Sequence, residues 1–182
     1  MKRLTATLTL LLAVTLLGGC ATHGYDEPKD VDLVKLSYNA TNKLLKQARL
    51  PLPQDSMVVV STLVNVNELD QTASFGRIIS SQIASAFNNA GYKIRAMELP
   101  TELFIKKESG MMHLSDETKR VLRENNAAVL VAGVFASGRR TAYVSIRMID
   151  VASETVISTT DFAVPMGPDA KVLLKPRDVG SN

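Results

Sequence analysis

The chain has few of the side chains that catalysis and cross-linking depend on. Its 182 residues include one cysteine and two histidines. A single thiol excludes an intramolecular disulfide. His23 and His113 lie far apart in the chain, so no His-rich ligand set for a metal forms from neighbours in sequence. No glycine-rich phosphate loop and no G-x-S-x-G elbow are present. The only long apolar run, Leu4 to Leu17, is broken by Thr5, Thr7, Thr9 and Thr15. It falls short of the roughly 20 apolar residues that a spanning helix needs. These absences leave no nucleophile with its base, no carboxylate pair and no metal cluster from which to build an active site. Asp116 and Glu117 are accounted for as first-turn residues of a helix.

What is present is the composition of a folded domain. Hydrophobic residues make up 46% and charged residues 21%, a balance that permits a real core in one domain. The first residues have a different character. Met1-Lys2-Arg3 is a basic start, the Leu4 to Leu17 run a short apolar segment, and Gly18-Gly19 a small-residue cleavage site. Leu17-Gly18-Gly19-Cys20 has the form of a lipobox: an apolar residue, two small ones, then a thiol. Small residues let a peptidase hold the chain extended, and the thiol is the nucleophile for lipid transfer. The reading is therefore a signal peptide over 1–19, cleavage between Gly19 and Cys20, and a diacylglycerol and N-acyl chain on Cys20. These covalent lipids are the only prosthetic groups expected, with no cofactor and no metal. Ala21 stands where enterobacterial sorting rules, by resemblance, place an Asp for inner-membrane retention. The expected location is thus the periplasmic side of the outer membrane.

The leader also removes the argument for nucleic acid. The formal charge is +3, from 21 basic and 18 acidic side chains, with a pI near 9.0. Taking Lys2 and Arg3 from the 21 leaves 19 against 18, and acylation removes the terminal amine. A balanced surface has no electrostatic pull on a phosphate backbone.

Residues 20–29 read as a lipidated tether, polar with Gly24 and Pro28; His23 lies in it and reads as solvated. Val31 to Arg49 has Val34, Tyr38, Thr41, Leu45 and Ala48 at helical spacing, with Asp30 and Asp32 at its start and Lys46 and Arg49 at its end. Asn39-Ala40-Thr41 matches a sequon, without consequence on a helix of a bacterial lipoprotein. Pro51 and Pro53 stop the helix. Met57 to Val64 is β-branched and nearly continuous, as in a buried strand. From Ser74, Phe75, Ile78, Ile79, Ile83, Ala86, Phe87 and Ala90 form one apolar stripe, and Gly91 stands at the left-handed cap. Tyr92 to Met97 completes a β-α-β unit. Gly76 reads as a close-packing residue, not as an anion site. Leu103-Phe104-Ile105 is expected as a short helical turn and Met111-Met112 as filler under a loop.

Ser115 caps a helix that runs to about Asn126. Ala127 to Ala136, apolar on both faces, is a central strand. Ser137 to Arg140 is a hairpin turn, with Arg139-Arg140 solvated at its tip. Thr141 to Asp150 alternates, Ala142, Val144, Ile146 and Met148 inward and Tyr143, Ser145 and Arg147 outward. A turn at Ala152 to Glu154 leads to a strand over Thr155 to Val164, ended by Pro165. The expected fold is an α/β sandwich: a mixed sheet from a β-α-β-α-β unit continued by a C-terminal β-meander, with the N-terminal helix packed on it. That domain covers 30–165, and 166–182 is expected to be a flexible tail.

Several of these stretches together resemble the FlgO family of outer-membrane lipoproteins, associated with flagellar motility. They are the lipobox at Cys20, Met57 to Ser61 after a leading helix, Ser74-Phe75-Gly76-Arg77, Gly91 to Ile94, Leu114 to Thr118, the strand ending in Gly133, and Val144 to Asp150. Glu154 departs from a Gly common in the family's last hairpin. The resemblance implies a FlgO-like domain with no catalytic residues, acting by contact with envelope or flagellar basal-body proteins, and it leaves room for a homo-oligomer. The competing expectation is a periplasmic module that binds a ligand or envelope polymer, or a secretion-associated lipoprotein, unrelated to motility. Related modules occur in curli-type secretion lipoproteins, so fold alone does not fix the partner.

Overall fold

Two amphipathic helices and a run of β-branched strands set the architecture, seen in a computed structural model that describes residues 27–67, 73–97, 105–106, 111–112 and 114–175. Helix α1 is Leu33–Gln47, strand β1 Met57–Ser61, β2 Val64–Asn65 and α2 Ser74–Asn89. β3 is Lys93–Met97, β4 Ile105–Lys106, β5 Met111–Met112 and α3 Asp116–Glu124. β6 is Val129–Ser137, β7 Thr141–Asp150, β8 Val156–Pro165 and α4 Pro168–Leu174. The main sheet runs β3-β1-β6-β7-β8, with β2 also paired to β6. β1 is parallel to β3 and β6, while β6, β7 and β8 are antiparallel. This is the mixed sheet with a meander that the sequence predicts, and β6 lies at its centre with Val129 to Gly133 all buried.

One face of the sheet carries α1 and α2. Phe75, Ile79, Ile83 and Phe87 of α2, Leu44 of α1 and the inward residues of β7 share one apolar cluster, and Phe75 meets Phe135 edge to face with centroids 5.1 Å apart. On the other face Leu122 of α3 packs with Val59, Leu130 and Ile149. β7 alternates as expected, with Ala142, Val144, Ile146 and Met148 buried and Tyr143 60% exposed.

The caps follow from side chains the sequence supplies. Asp32 accepts the Lys35 amide at the start of α1 (2.9 Å) and Ser115 the Thr118 amide at the start of α3 (3.1 Å). Gly91, at φ 95°, closes α2. Gly76 lets the first turn of α2 settle on the β1–β2 connection: a Cβ there would stand 2.3 Å from the Leu63 carbonyl oxygen.

The structure differs from expectation in five places. The tail expected to be flexible from 166 is helical over Pro168–Leu174, with Ala170 buried and Leu173 and Leu174 against the core; residues 176–182 lie outside the described residues. Met57 to Val64 is not one strand, because the chain breaks after Ser61 and resumes as β2. The buried stripe of α1 is Ser37, Ala40, Thr41 and Leu44, leaving Val34 half exposed. Ile78 and Ala90 of the α2 stripe are exposed. Ile105 is in a strand, pairing with Met112, and not in a helical turn; Leu103 and Phe104 lie outside the described residues.

Glu154 takes a left-handed φ of 58°, the conformation for which glycine is the usual residue. Its carboxylate reaches Lys119 of α3 at 2.9 Å. The hydrogen bond to Glu154, against a smaller opposing effect of desolvation, raises the Lys119 pKa.

Candidate functional site

The residues with the clearest sequence assignment, Gly19 and Cys20, lie outside the described residues, as do His23 and His113. What the structure supplies is the place where the chain from Cys20 enters the domain. The Asp30 carboxylate accepts the Asp169 amide (3.0 Å) and the Ala170 amide (3.1 Å), capping α4 from the other end of the chain. Gly167 makes room for this cap, since a Cβ there would stand 2.4 Å from Asp30 Oδ1. One turn on, Lys171 Nζ lies 3.0 Å from Glu27 Oε1. The Met166 amide donates to the Arg140 carbonyl at 2.8 Å, tying the same corner to the β6–β7 hairpin. The base of the expected tether is thus tied to the domain at Asp30, with an exposed ion pair at Glu27 before it.

A cleft of about 570 Å³ lies between α2 and the strands β1 and β3. Ser81, Ser85 and Asn88 line it, and Arg77 is the charged residue of its wall. Much of its polar inventory is already spent on the protein. Ser80 Oγ donates to the Gly76 carbonyl and accepts the Leu63 amide at 2.9 Å, Ser85 Oγ donates to the Ser81 carbonyl, and Asn89 donates to Tyr38 Oη. A second cleft of about 370 Å³ separates α1 from β8, with Lys43, Lys46 and Asp161 at its rim.

Among the described residues no group of three His, Cys, Asp or Glu is placed to hold a metal ion, and no helix is long and apolar enough to cross a membrane. The groups with displaced pKa values, Lys119 and Asp150, belong to α3 and the β7–β8 turn and line neither cleft. Their shifts come from Glu154 and Ser153, partners within a structural turn. Sequence reasoning did not find the Asp30 clamp, although it marked Asp30 as a helix-start residue; the helix that it caps is the other one.

The fold has relatives of known structure. The LpoB C-terminal domain from Salmonella enterica superposes with a TM-score of 0.53 at 13% identity, covering 74% of this chain and 98% of that one. The LpoB C-terminal domain from Escherichia coli gives 0.51 at 14% identity, with the same coverage of both chains. At such identities the likeness is one of fold. No curated protein sequence matches the chain. The family model described as FlgO protein matches residues 38–169, from the middle of α1 into α4. The chain is a member of the FlgO family.

Proposed function

We propose that the protein is an outer-membrane lipoprotein on the periplasmic side, anchored through acyl chains on Cys20, that serves flagellar assembly or motility by protein–protein contact and not by catalysis. The observation that carries this reading is membership of the FlgO family across 38–169, in a chain whose Leu17-Gly18-Gly19-Cys20 precedes that domain. Acyl chains contribute about 0.8 kcal/mol per buried CH₂, so a diacylglycerol with an N-acyl chain anchors stably without a further membrane signal. The domain then serves as a rigid body whose surfaces meet neighbours in the envelope.

A deletion strain complemented with the wild-type gene or with Cys20→Ser tests this. Swimming is restored by the first and not by the second, while growth is unaffected in both. Full swimming without the gene would remove the motility role. Full swimming with Cys20→Ser would remove the anchor from it. The polar lining of the α2–β3 cleft favours a second reading, a module that binds an envelope polymer. Under it, Ser81→Ala with Asn88→Ala abolishes the phenotype while membrane attachment persists.

A further inference from the structure

The corner where the tether enters is one end of the molecule, and several elements converge there. β1 and β6 run parallel, so the end of β6, the β6–β7 hairpin tip and the β1–β2 connection share this end. The Met166 to Arg140 hydrogen bond and the Asp30 cap bring α4 and the start of α1 to it. The opposite end holds the β7–β8 turn and the end of α1, where the Arg49 amide donates to the Ile157 carbonyl. β8 separates the two ends by ten residues, about 30 Å of strand.

Exposed large apolar side chains are more numerous at the tether end than at the opposite one, where Leu50 and Val156 lie. Val31 and Val34 lie at the start of α1, Val172 is 64% exposed on α4, and Ile78 is in the first turns of α2. Val66 joins them, its amide donating to the Phe135 carbonyl near the end of β6. The acidic groups here are exposed, and three are engaged within the domain: Glu27 holds Lys171, Asp30 caps α4 and Asp32 caps α1, while Asp169 stands in the first turn of α4. Arg139 and Arg140 stand exposed at the hairpin tip. Six residues lie between Cys20 and Glu27, a reach of roughly 25 Å even when fully extended.

We propose that this end of the domain, α4 with the start of α1 and the Arg139–Arg140 tip, lies against the phospholipid surface that holds the anchor. The inference rests on acylation at Cys20. The clamp at Asp30, with the exposed ion pair at Glu27, keeps this end nearer the anchor than the opposite one. The valines face the acyl boundary and Arg139 the phosphates. With the overall charge nearly balanced, the contact depends on the anchor's proximity and not on long-range attraction. The opposite end, with α3 and the β7–β8 turn, is left to face the periplasm.

Because Cys20 is the only cysteine, acylation leaves an introduced thiol as the sole site for labelling. Full-length lipidated protein carrying Val172→Cys or Ala152→Cys, labelled with an environment-sensitive fluorophore, is placed on vesicles of phosphatidylethanolamine and phosphatidylglycerol. The label at 172 shifts to shorter wavelength and is quenched severalfold less by aqueous iodide than in detergent-free solution of a Cys20→Ala form. The label at 152 is unchanged. Protein that sediments with vesicles but leaves both labels equally open to iodide overturns the proposed orientation alone. Failure to sediment with vesicles overturns the anchor, and the orientation with it.

Discussion

Asp30 and Ala170 are 140 residues apart in the chain and are joined by one hydrogen bond, carboxylate to amide, at 3.1 Å. With the parallel bond to the Asp169 amide, this contact closes the domain from its first described turn to its last helix. It is an N-cap supplied in trans along the sequence. Asp30→Ala costs about 1 kcal/mol, the usual range for a lost cap. Urea unfolding measures the loss as a lower midpoint with an unchanged slope.

Among the described glycines, Gly76 is the one where an added methyl group makes the shortest contact. The neighbour it meets is the Leu63 carbonyl, backbone at the β1–β2 break, which has no rotamer with which to yield. Gly76→Ala destabilises by about 1–3 kcal/mol, as overpacking does, despite alanine's better helix propensity. An unchanged denaturation midpoint would show that the connection moves freely.

Two buried serines predict opposite outcomes. Ser80 satisfies the Leu63 amide, whereas the buried Ser158 Oγ has no hydrogen-bond partner. Removing the hydroxyl at 80 orphans a buried donor and costs about 1–3 kcal/mol. Removing it at 158 leaves nothing unpaired, so Ser158→Ala is neutral or stabilising by up to about 1 kcal/mol. Thermal unfolding of the two alanine variants, run side by side, separates them by sign.

The Asp150 carboxyl is held below its ordinary pKa of 3.8 by the Ser153 hydroxyl first and the Ser153 amide second. A carboxylate with a lowered folded-state pKa contributes stability above the unfolded value, which is lost as pH falls through the folded value. The effect is confined to pH below about 4. Ser153→Ala raises the Asp150 pKa towards 3.8 and narrows that loss. Carboxyl-carbon NMR titration reads it directly.

The sequence is most transparent where structure is decided locally. β7 is bounded as its alternation predicts, since each inward residue meets a core already filled by α2 and β6. Ser115 and Gly91 cap as expected because a cap needs only the residues beside it. The errors have a common cause in distant partners. Ser37 looks polar, yet it is buried beside Thr41, which the expected stripe did include, with its Oγ donating to Gln82 of α2. That pairing turns α1 so that Val34, and not Ser37, faces out. α4 is too short to hold by its own propensity; it depends on Asp30 and on packing against α2, neither of which its own residues announce. Glu154 occupies a glycine conformation beside Lys119, a partner visible only once α3 is placed. As for the site, the lipobox is an expectation from a linear signal whose residues lie outside the described ones, while the Asp30 clamp depends on a partner 140 residues away and has no local signature.

Anchoring depends on the chemistry of one sulfur atom, and intact-mass analysis of protein extracted from membranes tests it most directly. The predicted species begins at Cys20 and carries a diacylglyceryl thioether and an N-acyl group. An unmodified Cys20, or a chain retaining residues 1–19, would contradict it.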